Sequence, residues 1–208
     1  MTAKLYCFGE SGNAYKAALT MALAGYDWAP VYVDFFNGES RSPAFRELNE
    51  MGEAPVFVEG DLTLTQSCVI QLHVAEKTGK LMQGDRNEIL RWMFWDAQKG
   101  SGQQGSLRFL MNFLPEEKRP PEAIRFLSGR VMSALKTLEG HLSDRDWMVG
   151  DAPTLADTAC CGYLYYPEPW GFDRKDFPAI DAWLDRIAAL PGWKHPYEMM
   201  PGSPADRA

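Results

Sequence analysis

The feature that most constrains this chain is a change of hydrophobic period near residue 80: strand-like and helix-like segments alternate before it, and only helical spacing follows. Lys4 to Phe8 is a short apolar run. Ala14, Ala17, Ala18 and Met21 then recur at helical spacing, with Gly25 where a helix would end. Val31 to Phe36 is rich in strand formers, and Ser42-Pro43 reads as the N-cap and first position of a short helix running towards Asn49. Pro55 to Glu59 and Leu62 to Thr65 are two strands separated by the turn signal Gly60-Asp61. Ser67 to Thr78 is helical and stops at Gly79. The order β-α-β-α-β-β-α predicts a mixed four-stranded sheet whose first connection is a right-handed crossover.

Residues 1–79 are thus expected to form an α/β domain, with residues 80–86, carrying Gly84-Asp85, as a linker. Residues 87–208 are expected to form an all-α domain. The stretch from Asn87 to Phe113 holds good helix formers, interrupted where Gly100-Ser101-Gly102 should kink or break it. From Glu122, the residues Ile124, Leu127, Val131, Leu135, Leu138 and Leu142 form one apolar stripe. Thr154-Leu155-Ala156-Asp157 reads as a variant capping box, a structural motif. A last helix carries Ile180, Trp183, Leu184 and Ile187 on one face and ends near Pro191-Gly192, and the tail beyond Pro201 reads as mobile.

Composition excludes several classes of function. The chain has 208 residues, 46% hydrophobic and 24% charged, so it has ample apolar material for a core. Its net charge of −7, with the basic residues scattered, gives no footprint for a nucleic acid partner. Met1-Thr2-Ala3-Lys4 runs straight into a strand with no apolar leader, and no apolar run approaches the length of a membrane span. A soluble, cytoplasmic protein is expected. Cys7, Cys68, Cys160 and Cys161 form no C-x-x-C pair and no disulfide scaffold, and the adjacent Cys160 and Cys161 fit buried packing. His73, His141 and His195 have no metal-ligand spacing, so no metal is assigned.

The residues that could carry chemistry lie in the first eighty. Phe8-Gly9-Glu10-Ser11-Gly12-Asn13 is a polar turn between strand and helix. Ser11 there is a natural N-cap, and the helix N-terminus beside it would stabilise a thiolate. In Gly52-Glu53-Ala54-Pro55-Val56 a proline opens a strand after a loop, and its peptide bond could be cis or trans. Thr65-Gln66-Ser67 opens a helix whose free amides make a carboxylate site. No second redox cysteine accompanies Ser11.

Taken in register, these segments resemble the cytosolic glutathione transferase superfamily. Leu5-Tyr6-Cys7-Phe8-Gly9-Glu10-Ser11-Gly12-Asn13-Ala14-Tyr15-Lys16 is similar to the opening strand and active-site turn of its serine-type bacterial, theta-like and phi-like members. Leu62-Thr63-Leu64-Thr65-Gln66-Ser67-Cys68-Val69-Ile70 resembles the family's strand and following helix start. Thr154-Leu155-Ala156-Asp157 resembles its buried capping box, and Phe177-Pro178-Ala179-Ile180-Asp181-Ala182-Trp183 the start of its C-terminal helix.

The resemblance implies a thioredoxin-like first domain and a helical second domain. It implies that Ser11 donates a hydrogen bond to the glutathione sulfur and lowers its pKa, with Asn13 orienting the sulfur or the hydroxyl. Ala54, before a cis Pro55, would pair through its backbone with the tripeptide, while Gln66 and Ser67 would hold its γ-glutamyl end. Arg41 and Glu53 complete the expected glutathione-binding set. Glutathione would be the co-substrate, a small hydrophobic electrophile its partner, and the protein a homodimer. Trp92, Trp95, Phe109 and Phe113 are aromatic candidates for the second pocket, though helical spacing favours the core for most of them. Gln98, Gln103 and Gln104 would face either substrate or solvent. Two positions depart from the family pattern: Glu53 stands where many members carry a lysine or a neutral residue, and Gly12 replaces a frequent proline. The implied activity is conjugation of glutathione. The alternatives are glutathione-dependent reduction of peroxides or disulfides, and a non-catalytic interaction module on the same fold.

Overall fold

The computed structural model describes residues 2–204, which form two compact units: residues 2–81 together with 191–204, and Met82–Leu190. In the first unit β1 (Ala3–Cys7), β2 (Trp28–Tyr32), β3 (Val56–Glu59) and β4 (Leu62–Thr65) make one sheet in the order β2-β1-β3-β4. β1 and β2 are parallel and joined by α1 (Gly12–Ala24), whereas β1–β3 and β3–β4 are antiparallel. The expected four-stranded mixed sheet and its crossover are both present.

Strand alternation sorts the core into two faces. Leu5 pairs with Phe57, and both are fully buried. Tyr6, Val56 and Val58 lie on the opposite face with Val33, Phe45 and Leu48, under α2 (Pro43–Leu48). α1 packs against α3 (Ser67–Thr78), and Gln71 Nε2 donates to Thr20 Oγ1 at 3.0 Å across their buried seam. Gly25 caps α1 at φ 67 and Gly79 caps α3 at φ 68, left-handed positions that favour glycine.

The second strand lies earlier than Val31 to Phe36. It covers Trp28–Tyr32, at the sheet edge, where Pro30 removes no interior ladder bond. Asp34 then turns the chain, its carboxylate accepting from Asn37 N at 3.3 Å and from Asn37 Nδ2 at 2.8 Å. Phe35 leaves the sheet to stack on Phe8, with ring centroids 4.6 Å apart.

The second unit comprises α4 (Arg86–Lys99), α5 (Ser101–Asn112), α6 (Pro121–Leu142), α7 (Leu155–Cys160) and α8 (Pro178–Ala188). Gly100 does break the helix, and buried Asp96 supports the break by accepting from Ser101 N at 3.1 Å and Ser101 Oγ at 2.8 Å. Val131, Leu135, Leu138 and Leu142 of the apolar stripe are buried. Asp157 completes a capping box with Thr154 and is the polar hub of this unit. Its carboxylate accepts from Thr154 N at 2.7 Å, Met148 N at 2.9 Å and the Trp183 indole at 2.8 Å. Cys160 and Cys161 are buried in α7 and directly after it, as expected.

The chain end corrects two readings. Residues 191–204 pack with the first unit rather than with the helical domain, and they contain a helix the sequence reading lacked, α9 (Pro196–Met199). The stretch after Pro201 is not loose where it is described, since Gly202 and Ser203 are buried; residues 205–208 lie outside the described residues. Gly, Pro and Ser suggested a free tail. Here they let backbone pack on backbone: Gly9 N donates to Pro201 O at 2.7 Å, and the Tyr15 hydroxyl to Lys194 O at 3.0 Å.

Candidate active site

Sheet register brings three of the chemistry-bearing segments to one end of the first unit. Tyr6 pairs with Val56, and Val56 with Thr65. Consequently the turn that follows β1, the loop that precedes β3 and the helix start that follows β4 all leave the sheet at the same end. Ser11, Ala54-Pro55 and Gln66-Ser67 belong to these three segments.

Ser11 is the N-cap of α1, and its Oγ accepts from Ala14 N at 3.1 Å. Capping uses a lone pair and leaves the hydroxyl proton to donate. Only 6% of the residue is exposed, so any group it meets is poorly hydrated. Asn13, in the first turn of α1, is half-buried, and its amide has no partner among the described residues.

Around the proline, the Ala54–Pro55 bond is cis. Buried Asn49 fixes the preceding loop: its Nδ2 donates to Glu53 O at 2.7 Å, and its Oδ1 accepts from Met51 N at 3.1 Å. Ala54 is half-buried, and neither its N–H nor its C=O is hydrogen-bonded among the described residues. It thus offers a free backbone edge to an extended peptide. Sequence reasoning missed Asn49, and the signal that could have found it is a short amide side chain at a helix end before a Gly-containing loop.

At the third segment, Gln66 holds φ 69, an uncommon value for a residue with a side chain. It ends β4 sharply and aims the start of α3 at the shared sheet end. α3 carries no side-chain cap, and the Ser67 hydroxyl has no partner among the described residues. Free first-turn groups on a 12-residue helix suit a carboxylate. The Gln66 Nε2 makes a long contact of 3.4 Å with Glu53 Oε2, and another of 3.3 Å with Met51 Sδ, which ties the second segment to the third.

Known proteins share this fold. Residues 1–76 match the model of the glutathione S-transferase N-terminal domain, and residues 108–191 that of the glutathione S-transferase C-terminal domain. A solved glutathione S-transferase from Xanthobacter autotrophicus is 32% identical with a TM-score of 0.86, over 99% of both chains. A solved possible glutathione S-transferase from Rhodopseudomonas palustris is also 32% identical, with a TM-score of 0.87, over 94% of this chain and 98% of that one. The chain belongs to the glutathione S-transferase family.

Among curated relatives of this chain, Glutathione S-transferase F9 of Arabidopsis thaliana is 29% identical over 86% of this chain and 89% of its own. Names diverge at similar distance. The disulfide-bond oxidoreductase YfcG of Escherichia coli is 25% identical over 88% of this chain and 89% of its own, and the maleylacetoacetate isomerase of Pseudomonas aeruginosa is 28% identical over 97% and 99%.

The remaining candidate residues sort by burial. Glu53 is exposed and forms no ion pair among the described residues, so neither Arg41 nor Arg46 neutralises it. Arg46 donates to Glu50 O at 2.8 Å instead, and Arg41 is an exposed side chain on a short 3-10 turn (Glu39–Arg41) with no partner drawing it to the strand ends. Trp92 is core, Trp95 and Phe113 are half-buried, and Phe109 is exposed. Gln103 and Gln104 are buried rather than solvated, with Gln103 donating to Gln98 O at 3.1 Å, while Gln98 is exposed. Burial pushes the Cys7 thiol up to about 12, so it stays protonated and inert. Among the described residues no group of three His, Cys, Asp or Glu side chains could hold a metal ion, and no helix is long and apolar enough to cross a membrane.

Proposed function

We propose that this chain binds glutathione across the shared strand ends and directs its thiolate onto a small hydrophobic electrophile. One observation carries the reading: a capped serine with a free proton, an unpaired backbone edge at Ala54 and an uncapped helix start at Ser67 converge at one end of one sheet. The Ala54 backbone pairs with the cysteinyl part of the tripeptide beside Pro55. Ser67, Gln66 and the first-turn amides of α3 receive the γ-glutamyl carboxylate. The Ser11 hydroxyl donates to the sulfur and favours its ionised form, and Asn13 orients the pair. The thiolate then forms a carbon–sulfur bond, and the leaving group departs with its electron pair. In an addition, the displaced pair is instead protonated by solvent. Proximity and a lowered thiol pKa supply the rate.

Glutathione-dependent reduction of disulfides is the second reading. The name of the Escherichia coli relative favours it, and the first step would use the same thiolate. A chain with no turnover is the third. Melting curves with and without millimolar glutathione test the shared premise: at tenfold its Kd the ligand adds about 1.4 kcal/mol, a rise of roughly 3–6 °C. An unchanged curve would remove glutathione from the account. Product analysis then separates a conjugate from oxidised glutathione.

We further assign the chain to a reducing compartment, the cytoplasm, where its four free cysteines would persist as thiols. We assign it a two-fold homodimer. Exposed Met51, Val69, Phe94 and Phe126 supply apolar surface for it, and light scattering at 23.4 kDa per particle would refute it.

A further inference from the structure

The segment after α8 crosses the turn that carries Ser11. Between the end of β1 at Cys7 and the start of α1 at Gly12, the four-residue turn is closed by a backbone bond from Ser11 N to Phe8 O at 3.1 Å. A tie from a segment distant in sequence comes from the chain end, where Gly9 N donates to Pro201 O at 2.7 Å. Gly9 has no room for a side chain. An added Cβ would lie 3.1 Å from Tyr197 Cδ1, 3.2 Å from Ser203 N and 3.3 Å from the Gly202 carbonyl carbon. The same segment grips the helix that Ser11 caps, through the Tyr15 hydroxyl on Lys194 O at 3.0 Å and through Gly192, where an added Cβ would meet Ala22 O at 2.9 Å. Its far end is lodged at Tyr32, whose ring a Cβ at Gly202 would strike.

We propose that residues 191–204 form a strap that positions the Ser11 hydroxyl, with Gly9, Pro201 and Tyr197 as positioning residues. This rests on the reading that Ser11 donates to the glutathione thiolate. A hydrogen bond weakens steeply with angle and distance, so a bond that fixes the backbone just before Ser11 bears on where its hydroxyl points. The strap makes that bond at Gly9, two residues before Ser11.

The test compares full-length wild type, Ser11→Ala, Gly9→Ala and Tyr197→Ala. Three quantities are read: the pH midpoint of thiolate absorbance for bound glutathione, calorimetric affinity for S-methylglutathione, which has no ionisable thiol, and melting temperature. The buried Glu10 and Lys16 are common to all four proteins, so a moved midpoint reports the hydroxyl. Gly9→Ala should raise the midpoint by about half a pH unit or more, with S-methylglutathione affinity held within about twofold. Tyr197→Ala, which removes atoms where Gly9→Ala adds one, should move it the same way. In the Ser11→Ala background neither change should add a further shift. A role in packing alone predicts lower melting temperatures with the midpoint fixed, and that result overturns the strap while leaving Ser11 in place. If Ser11→Ala itself leaves the midpoint unchanged, the underlying reading falls and the strap with it.

Discussion

Replacing Glu53 by glutamine removes a charge from the candidate site and almost nothing else. The carboxylate is exposed, has no cationic partner among the described residues, and meets Gln66 Nε2 at 3.4 Å. The glutamine keeps an oxygen for that contact, and the Glu53 carbonyl keeps its bond from Asn49 at 2.7 Å. What changes is repulsion between this acid and the carboxylates of glutathione, which the proposed function brings against the adjacent Ala54. At about 5 Å the repulsion is roughly 0.8 kcal/mol in water and about 3 kcal/mol at an effective dielectric near 20. Solvent exposure favours the lower figure, so Glu53→Gln should tighten glutathione about fourfold at low salt. Added salt should shrink the difference, since the Debye length falls to about 8 Å at physiological ionic strength. Glu53→Ala should gain less, because Gln66 loses its contact along with the charge. Calorimetric titration at two ionic strengths measures all of this. Equal or weaker binding by Glu53→Gln at low salt would refute the repulsion argument and make the acid a support for Gln66.

Ser11→Ala should raise the pKa of bound glutathione by roughly one to two units, since a hydrogen bond to a charged group contributes about 1.5–3 kcal/mol; superimposed titration curves would exclude the hydroxyl. Asp157→Ala should destabilise the protein by about 3 kcal/mol or more, because buried donors on Met148, Thr154 and Trp183 lose their shared acceptor. Thermal melts should show a drop of roughly 6 °C or more, and a loss below about 2 °C would contradict the hub role. Iodoacetamide at pH 8 should label Cys68 ahead of the other cysteines, as Cys7, Cys160 and Cys161 are buried and Cys7 is held protonated up to about 12. Peptide mapping that found Cys7 modified first would overturn that environment.

Where local chemistry decides the structure, the sequence was legible. Ser42-Pro43, Gly25, Gly79 and the Thr154–Asp157 box act through neighbours within four residues, and each does what its type predicts. β2 was misplaced because Val31 to Phe36 looks like a strand in isolation, while the edge position that accommodates Pro30 and the Asp34 turn are properties of the assembled sheet. The strap was illegible for the same reason. A Gly-Ser-Pro tail reads as loose unless one knows that Gly9 waits for it some 190 residues earlier in the chain. Within the candidate site, residue types announced Ser11, Pro55 and Ser67. Asn49 and the exposure of Glu53 required the loop to be folded.

The Asp157 box of the helical unit and the strand ends of the first unit treat their polar groups in opposite ways, and the contrast supports the candidate site. In the helical unit, the Asp157 carboxylate takes four donors, the Thr154 hydroxyl included at 3.0 Å, and the helix start it serves is fully capped. In the first unit, the corresponding groups at the strand ends are left incomplete. α3 begins with no side-chain cap, the Ala54 backbone is unpaired among the described residues, and Gln66 sits at φ 69, a conformation that costs on the order of 1–3 kcal/mol. A fold selected only for stability would satisfy these groups locally, as it does at Ser11 and Ser42. Incomplete donors and acceptors that share one sheet end are complementary to an extended, carboxylate-bearing peptide, which would satisfy them on binding. Bound glutathione should therefore slow amide exchange most at Ala54, Ser67 and Cys68, and least at the already completed box around Thr154 and Asp157.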